Sequence, residues 1–154
     1  MICMKYIKSL TKTAPALEDT AILLVRIAIG LVLFLTGGWK VFGWLGGPGL
    51  AGAVGFYSQI GISGPLAYLS IYTELIGGFL LLIGLITRLA AIPVTINMLV
   101  ATIVSMPGGF LGPTGFSTPF VFLLCAVAIL VTGPHSFSLD RWIKKRCENT
   151  PEHT

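Results

Sequence analysis

Residues 20–42 read TAILLVRIAIGLVLFLTGGWKVF, an apolar run in which Arg26 and Lys40 are the only charged residues. A transmembrane helix needs about 20 mainly apolar residues, so this run is long enough to cross a bilayer. Three further runs, at residues 65–87, 89–106 and 119–133, are long enough or nearly so. The sequence therefore predicts an all-α integral membrane protein built as a four-helix bundle.

The composition agrees with a membrane protein. Charged residues make up 10% of the 154 residues and hydrophobic residues 55%, whereas soluble domains carry about 25% charged residues. A soluble domain of this size could not cover its surface with so few charges. The expected surroundings are a lipid bilayer, and the formal net charge of +4 does not indicate nucleic-acid binding.

The charged residues are concentrated at the two ends of the chain. Residues 1–19 and 138–154 hold most of them, and only Arg26, Lys40, Glu74 and Arg88 lie between. Because basic residues near span ends stay on the cytoplasmic side, both termini and the turn at Arg88 are expected there. This predicts a cytoplasmic segment at 1–19, a transmembrane domain at 20–137 and an amphipathic basic tail at 138–154. Arg88 is interpreted as a topology anchor.

The opposite side carries a long loop between the first two spans. Residues 43–64 are uncharged and rich in glycine, yet contain Phe56 and Tyr57. Such a loop is expected to lie at the membrane interface or to cap the bundle, with a short amphipathic helix within 50–60. Trp39 and Trp44 fit an outer aromatic belt, while residues 138–143, with Trp142, fit a helix under the inner leaflet.

The cysteines and histidines do not form a recognisable cofactor site. Cys3, Cys125 and Cys147 include no C-x-x-C pair, and His135 and His153 do not lie deep in a span. A bis-histidine haem and thiol–disulfide chemistry therefore lack their usual ligands or motif. We expect no metal and no resident cofactor, and the sequence has no self-contained catalytic motif.

The four central charges fall on two stripes spaced by three and four residues. Residues at this spacing share one helix face, and glycines there let neighbouring helices approach closely. Spans one and two are therefore expected to pack antiparallel with their charges facing inward. The stripe in span one is Arg26, Gly30, Leu33, Gly37 and Lys40, and that in span two is Ser70, Glu74, Gly77, Leu81, Gly84 and Arg88.

Glu74 is the most informative residue because it lies near the middle of span two. A lone carboxylate at that depth costs on the order of 3 kcal/mol, so it must be protonated, paired or hydrated. One interpretation is a structural Arg26–Glu74 pair that fixes helix register. The other is a site for protons or a polar head group, with Arg26 or Lys40 beside Glu74 and Asn97 in span three at similar depth.

At these residues the chain resembles the DoxX family of four-helix membrane proteins. The matching runs are LVRIAIG at 24–30, GGWKVFGW at 37–44, GGPGL at 46–50, ELIGG at 74–78, GLITRLAA at 84–91, GP at 133–134 and SLD at 138–140. In span one, the sequences of many family members resemble the pattern His-Gly-x-x-Lys. This chain has Thr36 in place of the histidine, followed by Gly37 and, at the end of the pattern, Lys40. A role for that histidine does not transfer.

The resemblance implies a multi-pass protein of the bacterial inner membrane, close to quinone or redox chemistry. The family takes its name from a subunit resembling those of thiosulfate:quinone oxidoreductase. Its relatives imply partners in membrane redox complexes, without implying that this chain is itself catalytic.

Three functions compete at this point. The first is a redox-complex subunit that binds a quinone, with Lys40, Trp39, Glu74 and Arg26 lining the pocket. The second is a non-catalytic assembly or scaffold protein of a membrane complex. The third is a small proton-linked transporter, which with four spans would need a homo-oligomer to enclose a pathway.

Overall fold

A computed structural model describes residues 15–133, apart from the side chains of residues 15, 16 and 18. The predictions made for residues 1–14 and for the tail, including Cys3, His135, the helix at 138–143 and Cys147, lie outside this part. Within it every regular element is helical, so the all-α prediction is confirmed there.

Within residues 15–133 six α-helices follow one another, with shorter helical turns between some of them. They are α1 (Pro15–Phe42), a 3₁₀ turn (Trp44–Gly46), α2 (Gly49–Gln59), α3 (Gly64–Tyr72), a π-helical turn (Thr73–Gly77), α4 (Gly78–Ile83), α5 (Thr87–Ser105), a 3₁₀ turn (Met106–Gly108) and α6 (Ser117–Thr132). Helix α2 is the short helix expected within residues 50–60.

Three of these stretches are long and apolar enough to cross a membrane: Asp19–Phe42, Gly64–Ile83 and Thr87–Gly108. They contain 24, 20 and 22 residues, with mean hydropathies of 2.3, 1.8 and 2.0. Helix α6, with 16 residues, is apolar but shorter. The chain is thus a helical membrane protein, while its fourth span stays a prediction.

Glycines bring α1 against the second span, as the stripes predicted. A Cβ atom added at Gly37 would lie 2.5 Å from the backbone nitrogen of Leu75, and one at Gly30 would lie 2.8 Å from that of Leu82. Residue numbers fall along one helix as they rise along the other, so the two spans are antiparallel. No side chain larger than hydrogen fits at either crossing.

The predicted stripe of span two is wrong at Gly77. Gly78 faces Leu33 and Phe34 of α1, whereas Gly77 faces Val94 of α5. The π-helical turn is the physical reason: its wider i→i+5 spacing rotates every later residue relative to a regular α-helix. Spacing rules that assume 3.6 residues per turn therefore assign the wrong glycine to the α1 interface.

The second span also ends earlier than expected, at Ile83 rather than Thr87. Gly84 adopts a left-handed conformation (φ 70°, ψ 38°), and the amide of Leu85 donates to the carbonyl oxygen of Leu80. Glycine in this conformation is a common helix stop because it has no Cβ to clash. Arg88 consequently lies in the first turn of α5 and not in the connecting turn.

The core lies where α1, α4, α5 and α6 meet. Its fully buried side chains include Ile29, Leu81, Val94 and Ile129, one from each helix. Most other large apolar side chains on these helices are exposed at the protein surface. Exposure of this kind is expected where hydrocarbon, rather than water, surrounds the helices.

Candidate functional site

Lys40 and Glu74 form an ion pair between α1 and the π-helical turn. The Lys40 Nζ lies 2.6 Å from Glu74 Oε2 and 2.8 Å from Oε1, so the ammonium contacts both carboxylate oxygens. The Glu74 side chain is 8% exposed and that of Lys40 20%. Pairing offsets part of the cost that either charge would carry alone in an apolar environment.

A third oxygen completes the surroundings of the ammonium. Lys40 Nζ also donates to the Tyr57 hydroxyl, at 3.2 Å, and lies 5.5 Å from the centroid of the Tyr57 ring. An ammonium has three N–H donors and no acceptor. The two carboxylate oxygens and the hydroxyl therefore match its full donor capacity.

The hydrogen-bonded chain continues from Tyr57 into the bundle. The Tyr57 hydroxyl lies 3.2 Å from Ser70 Oγ on α3. On α5, Asn97 Nδ2 donates to the backbone carbonyl oxygen of Ser70 over a long 3.5 Å. Polar groups from four elements, namely α1, α2, the second span and α5, thus meet at one place.

Helix α1 ends before the level at which α3 begins and α5 ends, and this difference explains why the polar groups meet inside the bundle. Gly37 is level with Leu75, so α1, which ends at Phe42, stops about level with Ser70. Helix α3 begins six residues earlier, at Gly64, which is roughly 9 Å at 1.5 Å per residue. Helix α2 packs in this place and brings Tyr57 over Lys40.

A cavity of about 340 Å³ opens between α2, α3 and α5. Its polar groups, Tyr57, Ser70, Asn97 and Ser105, are outnumbered by apolar side chains. Seven of those are also exposed at the protein surface: Phe56, Ile60, Leu66, Leu69, Ile96, Val100 and Val104. The cavity therefore opens at the protein surface, and its exposed apolar rim on α3 and α5 would meet lipid.

A second cavity, of about 300 Å³, lies on the other side of Tyr57. Trp39 and Lys40 of α1 line it, together with Pro48, Gly52 and Ala53 from the loop and α2. Phe56 and Tyr57 line both cavities. These two aromatic side chains form the wall between the Lys40 side and the Asn97 side.

Comparison with known proteins places the chain in a family. The DoxX family model matches residues 21–107, more than half of the chain. The chain belongs to the DoxX family. All five residues of the hydrogen-bonded chain, Lys40, Tyr57, Ser70, Glu74 and Asn97, lie within the matched region. A second model, described as TQO small subunit DoxD, matches residues 65–153.

Curated relatives of this DoxX protein are membrane proteins or carry a redox name. It is 34% identical over 140 residues to an uncharacterized membrane protein of Mycobacterium tuberculosis, covering 82% of this chain and 83% of the relative. It is 30% identical to the putative oxidoreductase CatD of Bacillus subtilis, covering 82% and 90%. It is 31% identical to the inner membrane protein YqjF of Escherichia coli, covering 84% and 97%. No solved structure matches the chain significantly.

The structure brings together four of the five candidates named from the sequence of this DoxX protein. Lys40 and Glu74 are paired, Asn97 joins them through Ser70, and Trp39 lines the cavity next to Lys40. Whether any of them acts on a ligand stays a prediction.

Arg26 is the exception, since the ion pair of Glu74 is with Lys40 and not with Arg26. Arg26 is buried, and its guanidinium lies against Gly84, at the far end of the second span. The antiparallel register explains this position. Gly30 lies beside Leu82, so residues that precede Gly30 on α1 lie beside residues that follow Leu82 on the second span. Arg88, the predicted anchor, lies one turn further along, where its Nη2 donates to the carbonyl oxygen of Val131 over 3.4 Å.

Tyr57 is the residue that sequence reasoning missed. The sequence indicates only an aromatic residue in an uncharged loop, whereas the Tyr57 hydroxyl links Lys40 to Ser70. The available signal was a tyrosine next to Phe56 in a short helix with no charged residue. A phenol there can bury its ring and still offer a hydroxyl to a polar partner.

Proposed function

We propose that this DoxX protein is a membrane subunit of a redox complex that binds a quinone-like molecule in the cavity between α2, α3 and α5. The observation that carries the proposal is the combination within one cavity of apolar walls that reach the protein surface and a polar end tied to the Lys40–Glu74 pair. A quinone combines an apolar ring and tail with carbonyl oxygens that accept hydrogen bonds. The cavity offers matching surfaces.

The size of the cavity supports a small molecule. Ligand pockets commonly measure about 300–1,000 Å³, and this one measures about 340 Å³, which suits a head group with its tail left in lipid. Entry between α3 and α5 would need no passage through water. Lipid-soluble molecules would reach the polar end directly from the bilayer.

The names of the relatives support redox chemistry in a complex. One relative is called a putative oxidoreductase, and the matched DoxD family is described as the small subunit of TQO. In this proposal a partner protein exchanges electrons with the bound molecule, and this chain holds and orients it. The proposed setting is a four-span bundle in a bacterial inner membrane with both termini cytoplasmic.

The test is to look for bound quinone after gentle purification. The full chain would be purified in mild detergent, extracted with organic solvent and analysed by mass spectrometry for isoprenoid quinones. Ala101→Phe fills the cavity from α5. Ala51→Phe adds the same ring at an exposed position of α2 and is the matched control.

In the wild type and Ala51→Phe we expect a substantial fraction of one quinone molecule per protein chain. In Ala101→Phe the quinone content should fall at least severalfold. Equal quinone content in all three proteins would place the molecule elsewhere. Absence of quinone from the wild type, after expression in quinone-containing membranes, would contradict the proposed function.

A further inference from the structure

The polar end of the larger cavity is built from groups whose hydrogen-bonding directions are fixed by Lys40. Because the ammonium can only donate, the Tyr57 oxygen must accept its hydrogen bond, at 3.2 Å. The phenolic hydrogen is then available to Ser70 or to the cavity. Lys40 fixes the polarity of the chain without facing the larger cavity itself.

A count of hydrogens shows what this end offers a ligand. The hydroxyls of Tyr57 and Ser70 carry two hydrogens, and the contact between them, at 3.2 Å, uses one. Whichever hydroxyl donates in that contact, the other retains a hydrogen. Both residues line the larger cavity, so one hydroxyl donor remains there for a ligand.

The Ser70 hydroxyl is oriented differently from those of Thr95 and Thr102 on α5. Thr95 and Thr102 donate to the backbone carbonyl one turn back, over 2.7 Å in each case. Ser70 Oγ instead lies next to the Tyr57 hydroxyl. Its hydroxyl is therefore part of the cavity wall rather than of its own helix.

The charge at this end also restricts the ligand. The ammonium contacts both oxygens of the Glu74 carboxylate, so the pair is neutral as a unit. Its third donor is used by Tyr57. A carboxylate or phosphate head group would find no unpaired cation among the described residues of the cavity wall, whereas a neutral carbonyl oxygen needs only a donor.

We propose that the Tyr57–Ser70 hydroxyl pair is the recognition element of the larger cavity, and that it selects a neutral carbonyl-bearing amphiphile over an anionic one. This inference rests on the proposed function and names the head-group chemistry of that site. It assigns the donor role to Tyr57 and Ser70, whereas the sequence predicted a pocket lined by Lys40 and Glu74. Lys40 and Glu74 become positioning residues.

The test compares two probes on the purified full chain in detergent. The first is a decyl-substituted benzoquinone, followed by quenching of tryptophan fluorescence and by the infrared band of its carbonyl groups. The second is a fatty acid of similar tail length, used as a competitor at a pH where it is ionised. Tyr57→Phe and Ser70→Ala each remove one hydroxyl, and Tyr68→Phe, at an exposed position of the same α3, is the control.

We expect the wild type and Tyr68→Phe to bind the quinone, with the carbonyl band lowered in frequency on binding and little displacement by the fatty acid. Tyr57→Phe and Ser70→Ala should each weaken binding about three- to tenfold, in line with one lost hydrogen bond, and the band shift should diminish. Thermal unfolding of each variant checks that the protein is intact. Ser70→Ala leaves the Lys40–Tyr57 contact in place and so separates recognition from support of Lys40.

Two other results overturn the inference in different ways. Quinone binding that is unchanged in both hydroxyl variants, or displaced efficiently by the fatty acid, would contradict it and leave the proposed function standing. Failure of the wild type to bind the quinone at all would remove the proposed function and this inference together.

Discussion

At the residue scale, Glu74 is the position from which the rest of the site follows. An acidic residue within an apolar span needs a partner, and the structure supplies one from the neighbouring helix. Its partner holds a second contact, to Tyr57, so one buried charge orders side chains on three elements. The sequence identified Glu74 because charge is scarce there.

The choice of partner could not be predicted from the sequence. Arg26 and Lys40 lie on the same face of α1. By their positions along the span, either side chain could reach Glu74. The crossing points at Gly30 and Gly37 decide between them, because they place Lys40 beside Glu74 and Arg26 beside Gly84. Register between two helices depends on both surfaces, which a single-helix pattern does not contain.

Removing one member of the pair should be more damaging than removing both. Glu74→Gln leaves the Lys40 ammonium without its counter-charge and should cost about 3 kcal/mol of unfolding free energy, as buried half-pairs do. The double variant Lys40→Met with Glu74→Leu leaves no unpaired charge. It should regain most of the loss.

The measurement is unfolding of the purified proteins in mixed micelles, followed by circular dichroism. Lys40→Met alone completes the double-mutant cycle. A double variant as unstable as the sum of the two single variants would show that the pair does not couple.

At the element scale, the π-helical turn at Thr73–Gly77 decides which faces of the second span meet which neighbours. Glu74 and Gly77, both within it, are buried, and the turn shifts Gly78 towards α1 and Gly77 towards α5. Such turns often occur at functional sites. The apolar runs predicted the spans themselves, whereas the spacing of residues in the sequence did not predict the extra residue in this π-helical turn.

Close packing of α1 against this turn should tolerate no added methyl group. Gly37→Ala would place its Cβ 2.5 Å from the Leu75 nitrogen and 2.6 Å from the Leu75 Cα, forcing the helices apart. Overpacking of this kind costs about 1–3 kcal/mol. The thermal midpoint should fall and the Lys40–Glu74 contact should loosen.

Gly55→Ala is the matched control, since nothing lies within 4 Å of a Cβ atom added there. Alanine favours helix over glycine by about 1 kcal/mol, so this variant of α2 should be neutral or slightly stabilised. The midpoints are read from the same unfolding assay. A Gly37→Ala protein as stable as Gly55→Ala would contradict the packing at the α1 crossing.

At the scale of the whole molecule, helix α2 fills the place left by the early end of α1. The outer part of the bundle consequently contains α2, α3 and α5, which are the three helices around the larger cavity. In the proposed topology this side faces away from the cytoplasm. The cavity and the basic termini then lie on opposite sides of the membrane.

The orientation can be tested with cysteine labelling in intact spheroplasts. Leu111→Cys, at a position 78% exposed in the loop after α5, should react with a membrane-impermeant maleimide. Cys3 and Cys147, natural residues of the two terminal segments, should react only after permeabilisation. Labelling of both terminal cysteines in intact spheroplasts would reverse the orientation.

The sequence by itself determined that this is a helical membrane protein, where its apolar helices run, and which few polar residues need partners. These properties follow from hydropathy and from the cost of a charge in hydrocarbon, both of which are local to one segment. Only the tertiary structure decided that Lys40 pairs with Glu74, that Tyr57 and Ser70 join them, and that a cavity opens beside them. These contacts depend on the offset between α1 and its neighbours, which is set by glycine crossings and one π-helical turn acting together.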